Sequence, residues 1–219
     1  PVATADTVNP GNKIIYLTFD DGPGKYTQGL LDLLDKYNVK VTFFVTNTHP
    51  DYQNLIAEEA KRGHTVAIHS ASHKYNQIYT SEQAFFDDLE QMNSIIKAQT
   101  GNDASIIRFP GGSSNTVSKD YCPGIMTQLV NDVTARGLLY CDWNVSSGDA
   151  NNKPISTEQV VQNVISGVQS HNVSVVLQHD IKDFSVNAVE QIIQWGQANG
   201  YTFLPLTTSS PMSHHRINN

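Results

Sequence analysis

Short apolar segments alternate with longer amphipathic segments along most of this chain, and that alternation limits the folds open to it. The apolar segments run for about four to eight residues and are rich in Val, Ile, Leu and aromatic residues, as strands buried in a parallel sheet usually are. We predict seven strands, at residues 13–19, 40–45, 65–69, 106–109, 138–145, 173–178 and 201–206. Helical patterns occur between them at residues 26–37, 81–98, 156–170 and 185–199. Strands alternating with helices predict an α/β fold with a parallel sheet. Periodicity does not distinguish a closed barrel from an open doubly wound sheet.

The length and charge of the chain exclude several classes of protein. With 219 residues it can build one sizeable core, and β/α domains of this size are common. The 14 Lys and Arg against 21 Asp and Glu give a net charge of −7, which argues against nucleic-acid binding because that needs a basic surface. No apolar run approaches the roughly 18 residues of a membrane span, and we expect a monomer. Two cysteines, Cys122 and Cys141, either pair with each other or remain free thiols.

Polar residues follow the first and third predicted strands where each strand ends. Asp20 and Asp21 precede a Gly-Pro turn, and two histidines four residues apart, His69 and His73, follow the third strand. Such a histidine pair lies on one face of a helical turn and can bind a divalent metal, with Asp20 or Asp21 supplying a carboxylate. Taken alone, the Asp pair also fits an ordinary solvated turn.

Three later strand ends carry further polar groups. Arg108 can pair with a carboxylate, and the Gly-Gly pair at Gly111 can present a backbone N–H to an oxyanion. Asp149 follows the fifth predicted strand and His179 the sixth. A histidine in that position is more often structural than catalytic. Because a β/α fold gathers its active site at the carboxyl ends of its strands, the shared position of these residues predicts a metal-dependent enzyme.

Five motifs, in order along the chain, resemble those of the polysaccharide deacetylases, carbohydrate esterase family 4 with its NodB-homology domain. They read Thr-Phe-Asp-Asp-Gly-Pro, His-Ser-x-x-His, Arg-Phe-Pro-Gly-Gly, Ser-Gly-Asp and Leu-x-His, and the resemblance spans residues 13–206. It implies a distorted (β/α) barrel of about seven parallel strands, similar to a TIM barrel. It also implies hydrolysis of N-acetyl groups from an N-acetylglucosamine-containing polysaccharide, with release of acetate. The segments around motifs three and four resemble bacterial peptidoglycan deacetylases most.

The resemblance assigns a metal site and a general base. Asp21, His69 and His73 correspond to the metal ligands, Asp20 to the base, and Arg108 to the residue that holds the base. Two imidazoles and one carboxylate are a ligand set that favours Zn²⁺, and the same set is compatible with Co²⁺, Ni²⁺ or Mn²⁺.

The resemblance also assigns the substrate contacts and the general acid. Gly111 corresponds to the oxyanion donor, with Pro110 beside it, and Leu177 to a wall of the acetyl pocket. His179 corresponds to the general acid, which Asp149 orients.

Two departures from the family pattern affect the substrate pocket. Gly111 directly follows Pro110 where the family often has a tyrosine, so we expect any contact from that ring to be lost. Ala150 stands where the family usually has tryptophan, which removes one aromatic wall. Alternative functions are an acetyl-xylan esterase, a chitin deacetylase or a non-catalytic glycan-binding module, although the last would be expected to have lost a ligand or the base.

The chain divides into three segments by composition and by the extent of the resemblance. We interpret residues 1–12 as a linker remnant, residues 13–208 as the deacetylase catalytic domain and residues 209–219 as a loose tail. His214 and His215 lie in that tail, where we expect them to be solvated. Because the chain starts without an initiator Met or an apolar leader, we interpret it as a mature or trimmed form of a secreted, cell-surface or cell-wall protein.

Overall fold

The computed structural model describes residues 7–151 and 155–219. The strands are β1 (Ile14–Asp20), β2 (Thr42–Thr46), β3 (Thr65–Ser70), β4 (Ile106–Ile107), β5 (Leu139–Tyr140), β6 (Val145–Ser146), β7 (Val173–His179) and β8 (Thr202–Phe203). The helices are α1 (Thr27–Lys36), α2 (Leu55–Lys61), α3 (Tyr75–Ile78), α4 (Glu82–Thr100), α5 (Ile125–Ala135), α6 (Thr157–Gln169), α7 (Asp183–Val186) and α8 (Val189–Ala198). Short 3₁₀ turns lie at Pro50–Tyr52 and Ser118–Asp120.

All strand pairs are parallel, and the sheet curls into a distorted barrel. The strand order is β5-β4-β3-β2-β1-β7-β6, and β8 pairs with β1 beside this path. The two ends of the path, β5 and β6, are joined by residues 141–144 alone. The barrel therefore closes through this short chain segment, which we call the seam. The prediction of a distorted (β/α) barrel is confirmed.

The sheet separates two apolar clusters. Ile15, Leu17 and Phe19 of β1 pack outward with the helices, whereas Ile14 and Tyr16 pack inward with residues of the neighbouring strands. This division follows from the alternation of side chains along a strand. It explains why every residue of β1 is buried and why the strand reads as one continuous apolar run.

The predicted strands occur with one important difference. Residues 138–145 form two strands, β5 and β6, which lie at opposite ends of the sheet path rather than in one strand. Polar residues interrupt the run between them. Asn144 extends the pairing of β6 with β7, because its side-chain amide bonds the Val173 carbonyl and the Val175 N–H at 2.9 and 2.7 Å. The helix predicted at 185–199 is likewise divided into α7 and α8, and α2, α3 and α5 were not predicted.

The carboxyl-terminal segment is docked rather than loose. Asp142 donates its N–H to the Ser213 carbonyl at 2.7 Å, and His215 donates its N–H to the Asp142 carboxylate at 2.9 Å. The His214 ring stacks on Tyr140 with centroids 4.0 Å apart. The prediction of a loose tail is wrong, because this segment covers the seam, where the barrel has no ladder of its own. His215 is half-buried, whereas His214 is exposed as predicted.

The remaining predictions about the chain have mixed outcomes. Cys122 and Cys141 are free thiols, and Cys141 is buried in the inner cluster. Of the predicted linker remnant, residues 1–6 lie outside the described residues, while Val8 donates its N–H to the Ser209 carbonyl at 2.9 Å. The boundaries of the catalytic domain stay a prediction. Across residues 7–151 and 155–219, the helices lack the length and apolar character needed to span a bilayer.

Candidate active site

The polar residues at the strand ends continue the inward-facing rows of the barrel. Tyr16 of β1 lies in the inner cluster, and because side chains alternate, Asp20 four residues later points inward as well. The same spacing carries the inner rows of β3, β4 and β7 to His69, Arg108 and His179. The site is therefore a polar layer above the apolar barrel interior, and all four of these side chains are buried.

Arg108 is fully buried and fixes the carboxylate of Asp20. One terminal nitrogen of its guanidinium donates to Asp20 Oδ1 and to Thr18 Oγ1, both at 2.7 Å. The other nitrogens donate to the carbonyls of Cys141 and Asp142 at 2.8 and 2.9 Å. Burial raises the pKa of Asp20, and the charge of Arg108 opposes that rise. Asp20 is thus held in one position while it keeps the basicity that a proton acceptor needs.

Asp21, His69 and His73 form a cluster suited to a divalent cation. Asp21 Oδ1 lies 3.5 Å from His69 Nε2 and 3.3 Å from His73 Nε2, and the three ligand atoms lie within 4.8 Å of one another. Asp21 Oδ1 is buried and has no hydrogen-bond partner among the described residues. Burial, followed by the charge of His73, lowers the pKa of His69 to about 3, so its imidazole is neutral and able to ligate. An orphaned carboxylate oxygen between two imidazoles fits a metal ion.

The backbone around this cluster is unusual. Asp21 and His73 have φ values of +73° and +54°, in the left-handed region that residues other than glycine seldom adopt. Strain of this kind persists only where the surrounding structure enforces it, and it concentrates at functional sites. Gly22 follows Asp21 at a point where a Cβ atom would overlap the carboxylate of Asp180, so only glycine fits there.

Asp88 of α4 holds the loop between His69 and His73 in its conformation. Its carboxylate accepts the N–H groups of Ala71 and Ser72 at 2.9 and 2.8 Å and the Ser70 hydroxyl at 2.6 Å. Ser70 Oγ in turn accepts the N–H of His73 at 2.8 Å. Asp88 was not among the predicted site residues, because nothing in the helical pattern of residues 81–98 distinguishes it from other acidic positions.

His179 and Asp149 form a buried pair opposite the cluster. His179 Nδ1 and Asp149 Oδ1 are 2.8 Å apart, and Asp149 Oδ2 accepts the His179 N–H at 2.8 Å and the Ser185 hydroxyl at 2.7 Å. Burial opposes the charge of His179, but the hydrogen bond and charge of Asp149, then the charges of Asp21 and Asp20, raise its pKa to about 9. With Nδ1 bonded to Asp149, Nε2 faces the site, 3.9 Å from Asp21 Oδ2.

Gly111 presents an N–H with no acceptor within the described part of the chain. Pro110, just before it, accepts the hydroxyl of the buried Tyr79 through its carbonyl at 2.7 Å. Because the C=O and N–H of a trans peptide point in opposite directions, this bond fixes the direction of the Gly111 N–H. Two residues after Gly111, Ser113 donates its N–H and its hydroxyl to the Asp142 carboxylate at 2.8 and 2.5 Å.

Two further predicted positions bear on the acyl pocket. Leu177 is buried but belongs to neither apolar cluster, and it shares the inward face of β7 with His179. Ala150 is exposed and contributes no aromatic wall. Tyr75, which was not predicted, reaches Gly111 from α3: its hydroxyl lies 3.0 Å from the point where a Gly111 Cβ would stand. A tyrosine hydroxyl is therefore present beside Gly111, although it comes from a different part of the sequence than the family pattern suggests.

A parallel β/α barrel that gathers a cation cluster, the buried Asp20–Arg108 pair and the His179–Asp149 pair at the carboxyl ends of its strands is suited to hydrolysis. The sequence profile described as polysaccharide deacetylase matches residues 7–122. The chain belongs to the polysaccharide deacetylase family.

Individual relatives agree with that assignment. A crystal structure of the catalytic domain of peptidoglycan N-acetylglucosamine deacetylase from Eubacterium rectale is 97% identical, with a TM-score of 0.98 and 99% of each chain covered. A peptidoglycan-N-acetylglucosamine deacetylase of Bacillus cereus is 33% identical over 87% of this chain and 68% of its own length. A bifunctional xylanase/deacetylase of Pseudobutyrivibrio xylanivorans is 31% identical over 94% of this chain and 33% of its own length.

Proposed function

We propose that this enzyme removes N-acetyl groups from the N-acetylglucosamine residues of peptidoglycan and releases acetate. The observation that carries the proposal is the juxtaposition of a buried base, Asp20, with a cation cluster on one side and the His179–Asp149 pair on the other. This combination suits amide hydrolysis by direct attack of water, because the water has to be deprotonated and the poorly leaving amine has to be protonated. The names of the Eubacterium rectale and Bacillus cereus relatives support the choice of polymer.

Asp21, His69 and His73 would hold the metal. When bound, a divalent ion supplies Lewis-acid chemistry that polarises a carbonyl and activates water. We propose Zn²⁺, because a neutral imidazole pair with one carboxylate and open positions is a donor set that zinc favours. Co²⁺, Ni²⁺ and Mn²⁺ are the alternatives that metal analysis of the purified protein would distinguish.

Asp20 accepts a proton from the attacking water. Arg108 holds its Oδ1 at 2.7 Å, so its other oxygen is the one free to act. As water adds to the acetyl carbon, negative charge develops on the acetyl oxygen, and the Gly111 N–H donates to that oxygen. Pro110 keeps this donor aimed through its bond to Tyr79. Leu177 lines the space for the acetyl methyl group.

His179 donates a proton to the amine as the C–N bond breaks. Its Nε2 carries that proton, since Nδ1 is engaged by Asp149. The pKa of about 9 keeps His179 charged at neutral pH, which suits an acid rather than a base. Water and amide are thereby converted to a free amine and acetic acid, which loses its proton to solvent as acetate. Asp20 is then protonated and His179 neutral, and transfer of one proton from Asp20 to His179 restores both groups.

Acetyl-xylan is the second candidate substrate. The Pseudobutyrivibrio relative combines a xylanase with a deacetylase, and the same arrangement of base, cluster and acid would hydrolyse an O-acetyl ester. Chitin is a third polymer with the same N-acetylglucosamine unit as peptidoglycan. We propose a monomeric enzyme, residues 13–208 as its catalytic domain, and export to the cell surface or cell wall, because that is where its polymer lies.

Acetate release from peptidoglycan, chitin oligomers and acetyl-xylan, measured before and after chelation, tests this proposal. We expect peptidoglycan to give the highest kcat/KM, loss of activity on chelation, and recovery with added Zn²⁺. Activity that is indifferent to the chelator would remove the metal from the reaction. Preference for acetyl-xylan would replace the N-deacetylase assignment by an esterase.

A further inference from the structure

Tyr75 has a hydroxyl group that no described residue engages, although its ring is held firmly. The side chain follows the cluster residue His73 by two positions and begins α3. Its ring meets the His73 ring edge-on with centroids 5.5 Å apart, and it stacks on Tyr79 at 5.9 Å with an interplanar angle of 24°. Tyr79 itself stacks on Phe85 at 6.1 Å. Packing on two rings restricts the Tyr75 side chain to one rotamer, which fixes the position of its hydroxyl.

That direction leads to the oxyanion donor. The Tyr75 hydroxyl lies 3.0 Å from the Cβ position of Gly111, and its Cε1 lies 3.4 Å from the same point. Tyr79 fixes the adjoining Pro110 carbonyl at 2.7 Å, so the same aromatic stack carries the Tyr75 hydroxyl and orients the Gly111 N–H. The Tyr75 hydroxyl therefore lies beside Gly111, the residue whose N–H is the proposed oxyanion donor.

The substrate oxygen has to enter the gap that this edge borders. A substrate carbonyl that approached the Asp21–His69–His73 cluster and accepted the Gly111 N–H would lie between His73 and Gly111; a divalent ion held by the cluster would polarise it. Tyr75 bridges those two residues, with its ring against the first and its hydroxyl against the second. A phenol hydroxyl can donate a hydrogen bond to an oxygen on which negative charge develops. A donor that has no other partner, in a partly enclosed site, stabilises that charge most.

We propose that Tyr75 is a further catalytic residue, whose hydroxyl donates a hydrogen bond to the acetyl oxygen as negative charge develops on it. The bond forms and breaks without proton transfer, so Tyr75 enters and leaves the reaction unchanged. This role rests on the proposed function, because it requires an acyl group at the site.

The variant Tyr75→Phe removes the hydroxyl and keeps the stacked ring. We expect kcat for acetate release from a chitin oligomer to fall about a hundredfold, the usual loss when one oxyanion donor is removed, while KM stays unchanged. Zinc affinity, measured by competition with a chelator dye, and the melting temperature should equal those of the wild type. Tyr201→Phe is the matched control: it removes a hydroxyl beside Lys13, at the opposite end of the barrel, and should leave kcat unaltered.

Three outcomes separate the possibilities. Wild-type kcat in Tyr75→Phe would overturn the role. A loss of kcat that saturating Zn²⁺ restores would also overturn it, because Tyr75 would then act by supporting His73. Failure of the wild-type protein to release acetate from any of the polymers would instead overturn the proposed function itself.

Discussion

The two sides of the barrel are built differently. β1 pairs with β7 over seven residues, and β1, β2 and β3 continue as ladders of several residues each. On the other side, β4, β5 and β6 have two residues each, and β5 and β6 do not pair with each other. The ladder side supplies Asp20, the cluster residues and His179. The seam side supplies Arg108, which bonds Asp20, and Asp149, which bonds His179, together with the Gly111 N–H.

Arg108 connects the two sides. One end of its guanidinium bonds Asp20 on the ladder side, and the other nitrogens bond the carbonyls of Cys141 and Asp142 at the seam. Asp20, His69 and His179 lie at the ends of the longer strands. Arg108 and Asp149, which bond Asp20 and His179, follow the short strands β4 and β6. Substitutions on the ladder side should therefore affect chemistry, and substitutions at the seam should affect stability, with Arg108 affecting both.

Asp20→Asn should give the largest effect. The amide cannot accept a proton from water, so we expect kcat to fall by about a hundredfold to ten-thousandfold, the range that a general base supplies. Bound zinc, measured by elemental analysis, should stay at the wild-type level, because Asp21, His69 and His73 remain. His73→Ala is the companion variant and should lose both metal and activity. Near wild-type activity in Asp20→Asn would contradict the assignment of the base.

Arg108→Met should affect stability as well as activity. The substitution leaves Asp20 buried without its partner and leaves two seam carbonyls unbonded, and breaking a buried ion pair costs about 3–5 kcal/mol in the free energy of unfolding. Urea denaturation followed by circular dichroism measures this loss. Arg108→Lys keeps the charge but cannot bond Asp20 and both carbonyls at once, so we expect an intermediate loss. Equal stability of Arg108→Met and the wild type would show that the seam does not depend on this side chain.

His215→Ala should give the smallest effect, confined to stability. The ring bonds the Trp143 carbonyl at 2.6 Å and the Ser114 hydroxyl at 3.0 Å, so its removal should lower the free energy of unfolding by about 1–2 kcal/mol. Thermal denaturation measures the change. His171→Ala, at an exposed histidine after α6, is the control and should stay within about 0.5 kcal/mol of the wild type. If His215→Ala abolished activity without lowering stability, the division between the two sides would fail.

The ladder side was predictable from the sequence. Long apolar runs mark β1, β2, β3 and β7, and alternation then places Asp20, His69 and His179 inside the barrel. The seam was not predictable in the same way. Residues 138–145 read as one strand because periodicity reports which residues are buried, not which strand each half pairs with.

Arg108 and Asp149 were predicted, but other positioning residues escaped prediction for a related reason. Asp88, Asp142 and His215 act through contacts with residues distant in sequence, and each looks locally like an ordinary surface residue. Tyr75 reads as part of a short polar segment, and only the packed structure brings its hydroxyl to Gly111. The local sequence pattern identifies charged and metal-binding groups at strand ends. The residues that contact those groups from distant parts of the sequence can be identified only from the folded structure.

The bonds that Arg108 shares between base and seam have a consequence for heat inactivation. Proteins open first where local stability is lowest, and a segment with no strand ladder is such a place. If residues 141–144 detach, their carbonyls leave Arg108, water reaches the Asp20–Arg108 pair, and the base loses its fixed orientation while β1 and β7 stay paired. Activity would then disappear reversibly at temperatures below the melting of the barrel, so the working temperature of the enzyme is limited by the seam rather than by its core.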